Sequence, residues 1–320
     1  MKALLLWSLA ISLAGAECAQ AQSYPSRPIR WVVAASPGGG GDIVARLLAP
    51  ELGQLLGQQV VVDNRPGASA MIGAAIVAKA PADGYTWLFG TGQHTINPGL
   101  RKEMQYDIVK DFAPVTPLVF TRYFLTAHPA VPAKSVKELI ALAKTRPGQL
   151  NLASGGTGST GFLSGALLQV MAEIKMIHVP YKAVGPALTD LLGGHVDLMF
   201  PSITSGIPFY KEGKLRGLGV TSPRRHPSIP DIPTIAEAAL PGYEMQSWFG
   251  ILVPAGTPRG IVDRINAVVV NLVNIPTTRA ALIAQGAEPK TDTPDGFARL
   301  IKDELARNVK LLRAVGVEAQ

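Results

Sequence analysis

Residues 29–56, IRWVVAASPGGGGDIVARLLAPELGQLL, read as a buried strand over 29–35, a tight loop of four glycines at 38–41, and a helix. The helix is marked by Ile43, Val44, Leu47, Leu48, Leu52, Leu55 and Leu56 at helical spacing. A strand that ends in glycines and feeds a helix start is suited to an anion. The backbone can approach a ligand closely there, and the first helical N–H groups lack internal partners and carry a partial positive charge of about half a unit. Four glycines also serve simply to permit a sharp turn, so the rest of the chain must decide. Asp42, at the helix start, either caps those N–H groups itself or orders the loop and bonds a donor group of a ligand. Pro50 should kink or divide the helix, because it cannot donate to the Arg46 carbonyl.

Downstream, QQVVVD at 58–63 makes a second strand, and Arg65-Pro66-Gly67 turns into a small-residue helix over about 71–80. A turn at 81–84 then leads into a third strand, YTWLFG, at 85–90. The order βαβαβ means parallel strands joined by helical crossovers. Residues 91–113 are irregular and lie over the strand ends, which brings Thr91 and His94 beside the glycine loop. The apolar run 114–126 is long enough to leave one sheet and enter another.

A second unit begins at Ser135, which forms a capping box with Glu138 for the helix VKELIALAKT, and Pro147-Gly148 ends that helix. Strand LNLAS (150–154), loop GGTGSTG (155–161) and helix FLSGALLQVMA then repeat the opening design. Strands at 176–180, 196–200 and 215–221 alternate with helices at 184–192 and 203–213 to complete a second α/β unit. A proline-rich surface connection, 223–241, precedes MQSWFGILVP (245–254), which carries the chain back to the first sheet. Two helices follow, started by Thr257-Pro258 and by Thr293-Pro294-Asp295. Two crossings of one gap imply two lobes joined by a two-part hinge, with residues 22–120 and 250–320 in the first lobe and 121–249 in the second.

Three hundred and twenty residues with 47% hydrophobic content suffice for two such cores. MKALLLWSLAISLAGA followed by Ala19-Gln20-Ala21 has the form of a secretory signal over residues 1–21, cleaved after Ala21. The single cysteine, Cys18, lies inside it. The mature chain therefore offers no disulfide, thiolate metal site or cysteine nucleophile. No later segment is apolar for long enough to span a membrane. The net charge of +7 comes from scattered Lys and Arg with few aromatic residues, which argues against nucleic acid and fits weak attraction of small anions.

Gly156-Thr157-Gly158-Ser159-Thr160-Gly161 matches G-x-G-x-x-G between a strand and a helix. A dinucleotide site also needs an acidic residue at the end of the next strand, where this chain has His178-Val179-Pro180-Tyr181. The hydroxyls of Thr157, Ser159 and Thr160, beside exposed N–H groups, instead suit a small carboxylate or its waters. No G-x-S-x-G elbow occurs, Gly67-Ala68-Ser69-Ala70-Met71 being the nearest stretch. His94, His128, His178, His195 and His226 stand at no metal spacing, so neither a metal nor a cofactor is expected. Lys182 either adds a full positive charge to the cleft or sits as an ordinary loop lysine. Phe162 either packs in the core of its lobe or turns its ring into the cleft, where it would favour apolar or aromatic carboxylates over amino acids or citrate.

The succession Tyr24-Pro25, Pro28-Ile29, Pro37-Gly38-Gly39 with Asp42, Val62-Asp63-Asn64-Arg65-Pro66-Gly67, Asp83-Gly84-Tyr85-Thr86, Asp111-Phe112-Ala113-Pro114-Val115, His178-Val179-Pro180-Tyr181-Lys182, Gly213-Lys214-Leu215-Arg216 and Pro254-Ala255-Gly256-Thr257-Pro258 resembles the Bug family over essentially the whole mature chain. These are the extracytoplasmic receptors of tripartite tricarboxylate transporters. The resemblance implies an α/β fold like that of type II periplasmic binding proteins, with a ligand, commonly a carboxylate, held between two lobes. It also implies integral-membrane transporter subunits as partners. Phe162 stands where the family usually has His, Ala166 where it often has Glu, Ala183-Val184 where a glycine usually follows the lysine, and Pro201-Ser202 where an acidic residue is common. These departures bear on the ligand and not on the fold.

The sequence thus reads as a periplasmic, monomeric receptor for a small carboxylate. Ser36, Gly39, Gly40, Asp42, Thr91 and His94 form one side of its cleft, and Ser154, Thr157, Ser159, Thr160, Phe162, Lys182 and Ser202 the other. The competing readings are a secreted hydrolase of small esters or amides, disfavoured because no nucleophile–base pair is visible in sequence, and a receptor that passes ligand state to a sensor protein.

Overall fold

The computed structural model describes residues 24–314 together with 317 and 319. The signal reading, with its cleavage after Ala21, lies outside the described residues.

Strand β1 (Ile29–Val33) is followed by helix α1 (Gly40–Leu56), β2 (Val60–Asn64), α2 (Met71–Ala78) and β3 (Thr86–Thr91). β1 pairs in parallel with both β2 and β3, as the alternation of elements requires. α1 runs unbroken through Pro50, whose side is exposed, so water can satisfy the carbonyl it leaves without a donor. After a short helix α3 (Gln93–Ile96), β4 (Phe112–Arg122) leads through Tyr123 directly into β5 (Phe124–Ala127).

The second unit contains α4 (Val136–Thr145), β6 (Asn151–Ser154), α5 (Thr160–Ala172), β7 (Ile177–Pro180), α6 (Val184–Leu192), β8 (Leu198–Met199), α7 (Ile203–Lys211) and β9 (Arg216–Val220). At α4 the Ser135 hydroxyl accepts from the Glu138 N–H, but the Glu138 carboxylate reaches the Lys134 N–H, so the capping box is only half made. A full capping box appears instead at Thr234 and Glu237, starting α8 (Ile235–Ala238) within the proline-rich connection.

β10 (Gln246–Pro254) then returns to the first sheet, followed by α9 (Arg259–Asn274), α10 (Pro276–Ala284), β11 (Ala287–Pro289) and α11 (Pro294–Ala314). Three helices therefore stand where two were expected. Pro276 ends one and, at the first position of the next, starts another.

The strands form a six-stranded sheet, β11-β4-β10-β3-β1-β2, and a five-stranded sheet, β7-β6-β8-β5-β9. The chain passes from the first to the second between Arg122 and Phe124 and returns at Gln246. The two passages are neighbours: β4 and β10 pair antiparallel from Gln246↔Arg122 to Pro254↔Phe112. Each sheet has its own core, with Trp31, Leu48, Trp87, Phe89 and Ile265 in the first and Leu125, Leu139, Leu152, Leu168 and Phe200 in the second. Among the described residues no single helix is long and apolar enough to cross a bilayer.

Candidate functional site

The strand ends of both sheets face a cleft of about 730 Å³, open mouth included. From the first lobe come Ser36, Gly39, Gly40 and Gly41 at the start of α1, then Pro66, Gly67, Ser69 and Ala70 before α2, and Thr91 and Gln93 after β3. Tyr123 and Phe249 line it at the crossing strands. The second lobe contributes Gly155, Ser159 and Thr160 at the start of α5, Lys182, Ala183 and Val184 at α6, and Ser202 and Ser205 at α7.

Five helices thus aim their N-termini at one space, since the N-caps of α1, α2, α5, α6 and α7 (Gly39, Ala70, Ser159, Ala183 and Ser202) all line it. Ser159 and Ser202 cap their helices with their own hydroxyls, accepting from Phe162 N at 3.1 Å and Ser205 N at 3.2 Å. Gly39, Ala70 and Ala183 supply no side-chain cap, so first-turn N–H groups of α1 and α6 have no side-chain partner, while in α2 the first of them, Met71 N, is already held by the Ala68 carbonyl. Among the described residues Lys182 is the one charged side chain in the lining, and no carboxylate reaches it. Phe249, Val184, Ala34 and Ala35 give part of the wall an apolar surface.

Ser36, Gly39, Gly40, Thr91, Ser159, Thr160, Lys182 and Ser202 line the cleft. Asp42, His94, Ser154, Thr157 and Phe162 do not. Asp42 is buried behind the loop, accepting from Gly38 N (2.9 Å), Arg46 Nε (2.8 Å) and Asn64 Nδ2 (2.9 Å), so it orders the glycines that face the ligand. His94 turns inward onto the Tyr106 hydroxyl at 3.0 Å, where complete burial pulls it down to about 4 and keeps it neutral.

Ser154 Oγ lies 2.7 Å from His178 Nε2, a nucleophile–base pairing that sequence did not show. Ser154 is only 1% exposed and also bonds Gly156 N and O at 3.2 Å. The pair therefore braces the second glycine loop from behind instead of facing a substrate. Phe162 leans on the His178 ring with centroids 4.7 Å apart, in an apolar group with Ile96, Leu100, Leu163, Met245 and Leu312. Its ring fills the space between the lobes beside the cleft, so it gives no support to an aromatic ligand.

Ser69, Ala70, Gln93, Tyr123, Val184, Ser205 and Phe249 were absent from the expected site. The advance signals for them were the turn Arg65-Pro66-Gly67 just ahead of Ser69 and the departure at Ala183-Val184. Ala68, Ser69 and Ala70 have φ of 47°, 55° and 70°, three consecutive left-handed residues that cost about 1–2 kcal/mol each. The turn is held by Asn97 Nδ2 on the Ser69 carbonyl (2.9 Å) and by Met71 N on that of Ala68 (3.2 Å). The Thr91–Gln93 wall is braced by Glu304, which accepts from Trp248 Nε1 at 2.6 Å and whose carboxyl burial pushes up. Thr95, 3.4 Å from that carboxylate, donates to the Gly92 carbonyl at 2.6 Å.

Comparison with known proteins agrees with this fold. Residues 44–317 match the sequence profile of the tripartite tricarboxylate transporter family receptor. BugT of Bordetella pertussis is 35% identical over 300 residues, covering 93% of this chain and 92% of BugT. R. palustris Rpa4515, solved with adipate, superposes with a TM-score of 0.91 at 38% identity, covering 93% of this chain and all of the other. MatC (Rpa3494) from Rhodopseudomonas palustris, solved with bound malate, gives 0.86 at 33% identity over 90% of this chain and all of the other.

Proposed function

This chain belongs to the receptor family of tripartite tricarboxylate transporters, and from that premise we propose that it captures a small carboxylate between its lobes and presents it to integral-membrane subunits. The observation that carries this reading is the convergence of five helix N-termini on a cleft whose one charged side chain, among the described residues, is Lys182. Partial positive charge from several directions, free N–H donors and hydroxyls match a carboxylate in number and in sign. With no acidic group in the lining among the described residues, a ligand ammonium would be desolvated without a counter-charge. Carboxylates lacking an amino group therefore fit better than amino acids. The adipate of Rpa4515 and the malate of MatC are ligands of this kind.

In this reading Ser36, Gly39, Gly40 and Thr91 hold the ligand from the first lobe, and Ser159, Thr160, Lys182 and Ser202 from the second. The expected lobe division, 22–120 and 250–320 against 121–249, falls within a few residues of the two adjacent crossings at 122–124 and 246, and in this reading the hinge lies there. The protein acts as a monomer in the periplasm after loss of residues 1–21, and it performs no chemistry.

A thermal-shift screen against mono- and dicarboxylates, amino acids and sugars tests the reading. A carboxylate present at a hundred times its Kd should stabilise the protein by about 2.7 kcal/mol. Stabilisation by sugars or amino acids with none by any carboxylate refutes it. Ligand recovered unchanged after prolonged incubation distinguishes a receptor from a hydrolase.

A further inference from the structure

Ser69 belongs to the first lobe, yet its hydroxyl donates across the gap to the carbonyl of Thr157 in the second glycine loop, at 2.5 Å. The left-handed turn holds that hydroxyl in reach of the loop. Gly156 lies directly opposite, where an added Cβ would stand 3.0 Å from Ser69 Oγ. Asn97, which anchors the Ser69 carbonyl, presses on the same loop, a Cβ added at Gly158 falling 2.7 Å from Asn97 Oδ1. A strained segment, a buried amide and two positive-φ glycines thus meet at one interlobe contact.

We propose that Ser69 is the latch of this receptor, a positioning residue that sets how long the lobes stay closed over the ligand. The Ser69 to Thr157 bond exists only when the lobes meet, and it ends on a backbone carbonyl, so the latch acts on any ligand that fits. Ser69 and its neighbours Gly67 and Ala70 all line the cleft, which makes the wall of the site and the latch one continuous turn, and equal factors for two different ligands separate a latch from a ligand contact. The inference rests on the receptor reading above only in taking the lobes to open and close.

The test compares Ser69→Ala with Ser69→Gly. Both remove the hydroxyl, but glycine accepts the left-handed conformation without strain. Spin labels on Gln54→Cys in α1 and Lys137→Cys in α4, both exposed, report the distance between lobes in the chain lacking residues 1–21, which has no native cysteine. Both Ser69 variants should show a smaller closed fraction than the parent, with and without adipate or malate. Dissociation of whichever probe binds should accelerate about three- to tenfold, the value of one net hydrogen bond, by the same factor for both probes. A Ser69→Gly protein with the parent's distance distribution and dissociation rate overturns the latch, as does a factor that differs between adipate and malate. If the parent binds neither probe, the ligand-free distributions alone decide the latch, and the carboxylate reading is decided separately by the thermal-shift screen.

Discussion

Replacing Gly40 by alanine should weaken ligand binding without weakening the fold. A Cβ at Gly40 would lie 2.7 Å from Ser202 Oγ, 3.5 Å from Thr204 Cβ and 3.7 Å from Phe249 Cζ. The two nearest atoms belong to the other lobe. Ser202 Oγ cannot step aside freely, because it caps α7 through Ser205 N (3.2 Å) and Ser205 Oγ (2.8 Å). Losing the cap costs about 1 kcal/mol, and forcing a methyl into a packed contact about 1–3 kcal/mol. The open protein has no such contact, and there an alanine in place of a helical glycine is neutral or stabilising by up to about 1 kcal/mol. The closed form should therefore be disfavoured by about 1 to 3 kcal/mol, or roughly 5- to 150-fold in Kd. Calorimetry with the best ligand of the screen reads the affinity, and melting of the ligand-free protein reads the stability. Gly41→Ala is the internal control, since its Cβ would meet Phe89 of the same lobe at 3.0 Å and should lower Tm instead. Unchanged affinity in Gly40→Ala, or a loss matched by an equal loss of ligand-free stability, would show that the lobes do not close through this contact.

Lys182→Met should weaken a dicarboxylate about 10- to 100-fold, the worth of one charge-assisted hydrogen bond, and flatten the dependence of binding on salt, as titrations at two ionic strengths would show. Buried His94 titrates near 4 in the fold against an ordinary 6.5, so the unfolded chain binds the proton more readily. Its contribution is complete above pH 6.5 and is lost as pH falls toward 4, at most about 3 kcal/mol, and His94→Phe should flatten that limb of the stability curve measured by urea unfolding. Intact mass of the exported protein should identify Gln22 as the first residue, and a mature chain that keeps Cys18 would contradict cleavage after Ala21.

Much of the architecture was legible because it rests on local chemistry. α6 spans 184–192 as its apolar spacing indicates, and both long apolar segments do carry the chain between sheets. The glycine loops announced themselves as helix starts, and seven of the eight expected residues that line the cleft belong to helix starts or the loops leading into them, Thr91 at the end of β3 being the eighth. Asp42 and His94 were misplaced because Arg46, Asn64 and Tyr106, their partners, claim them from the protein side, and nothing in sequence says toward which side a loop side chain turns. Tyr123 and Phe249 escaped notice for the opposite reason. Inside a continuous apolar strand, nothing distinguishes the residue that borders a cleft from one that fills a core. The break at Asn274-Ile275-Pro276 did carry a signal, the proline that ends one helix and opens the next, but the apolar spacing continues on both sides of it.

Tyr123 has a consequence for the timing of capture. It is the single residue between β4 and β5, it borders the cleft, and the returning strand β10 pairs alongside it from Gln246↔Arg122 onward. A wall placed at the fulcrum travels almost nowhere while the lobes swing, so a ligand meets the same surface in the open and closed forms. Tyr123 is thus a fixed landing place, and the glycine loops, at the end of the lever arm, are the parts that arrive later. Encounter should then proceed at a rate set by diffusion into an open cleft, with the selection among anions made afterwards, by how well each one bridges the two moving arms.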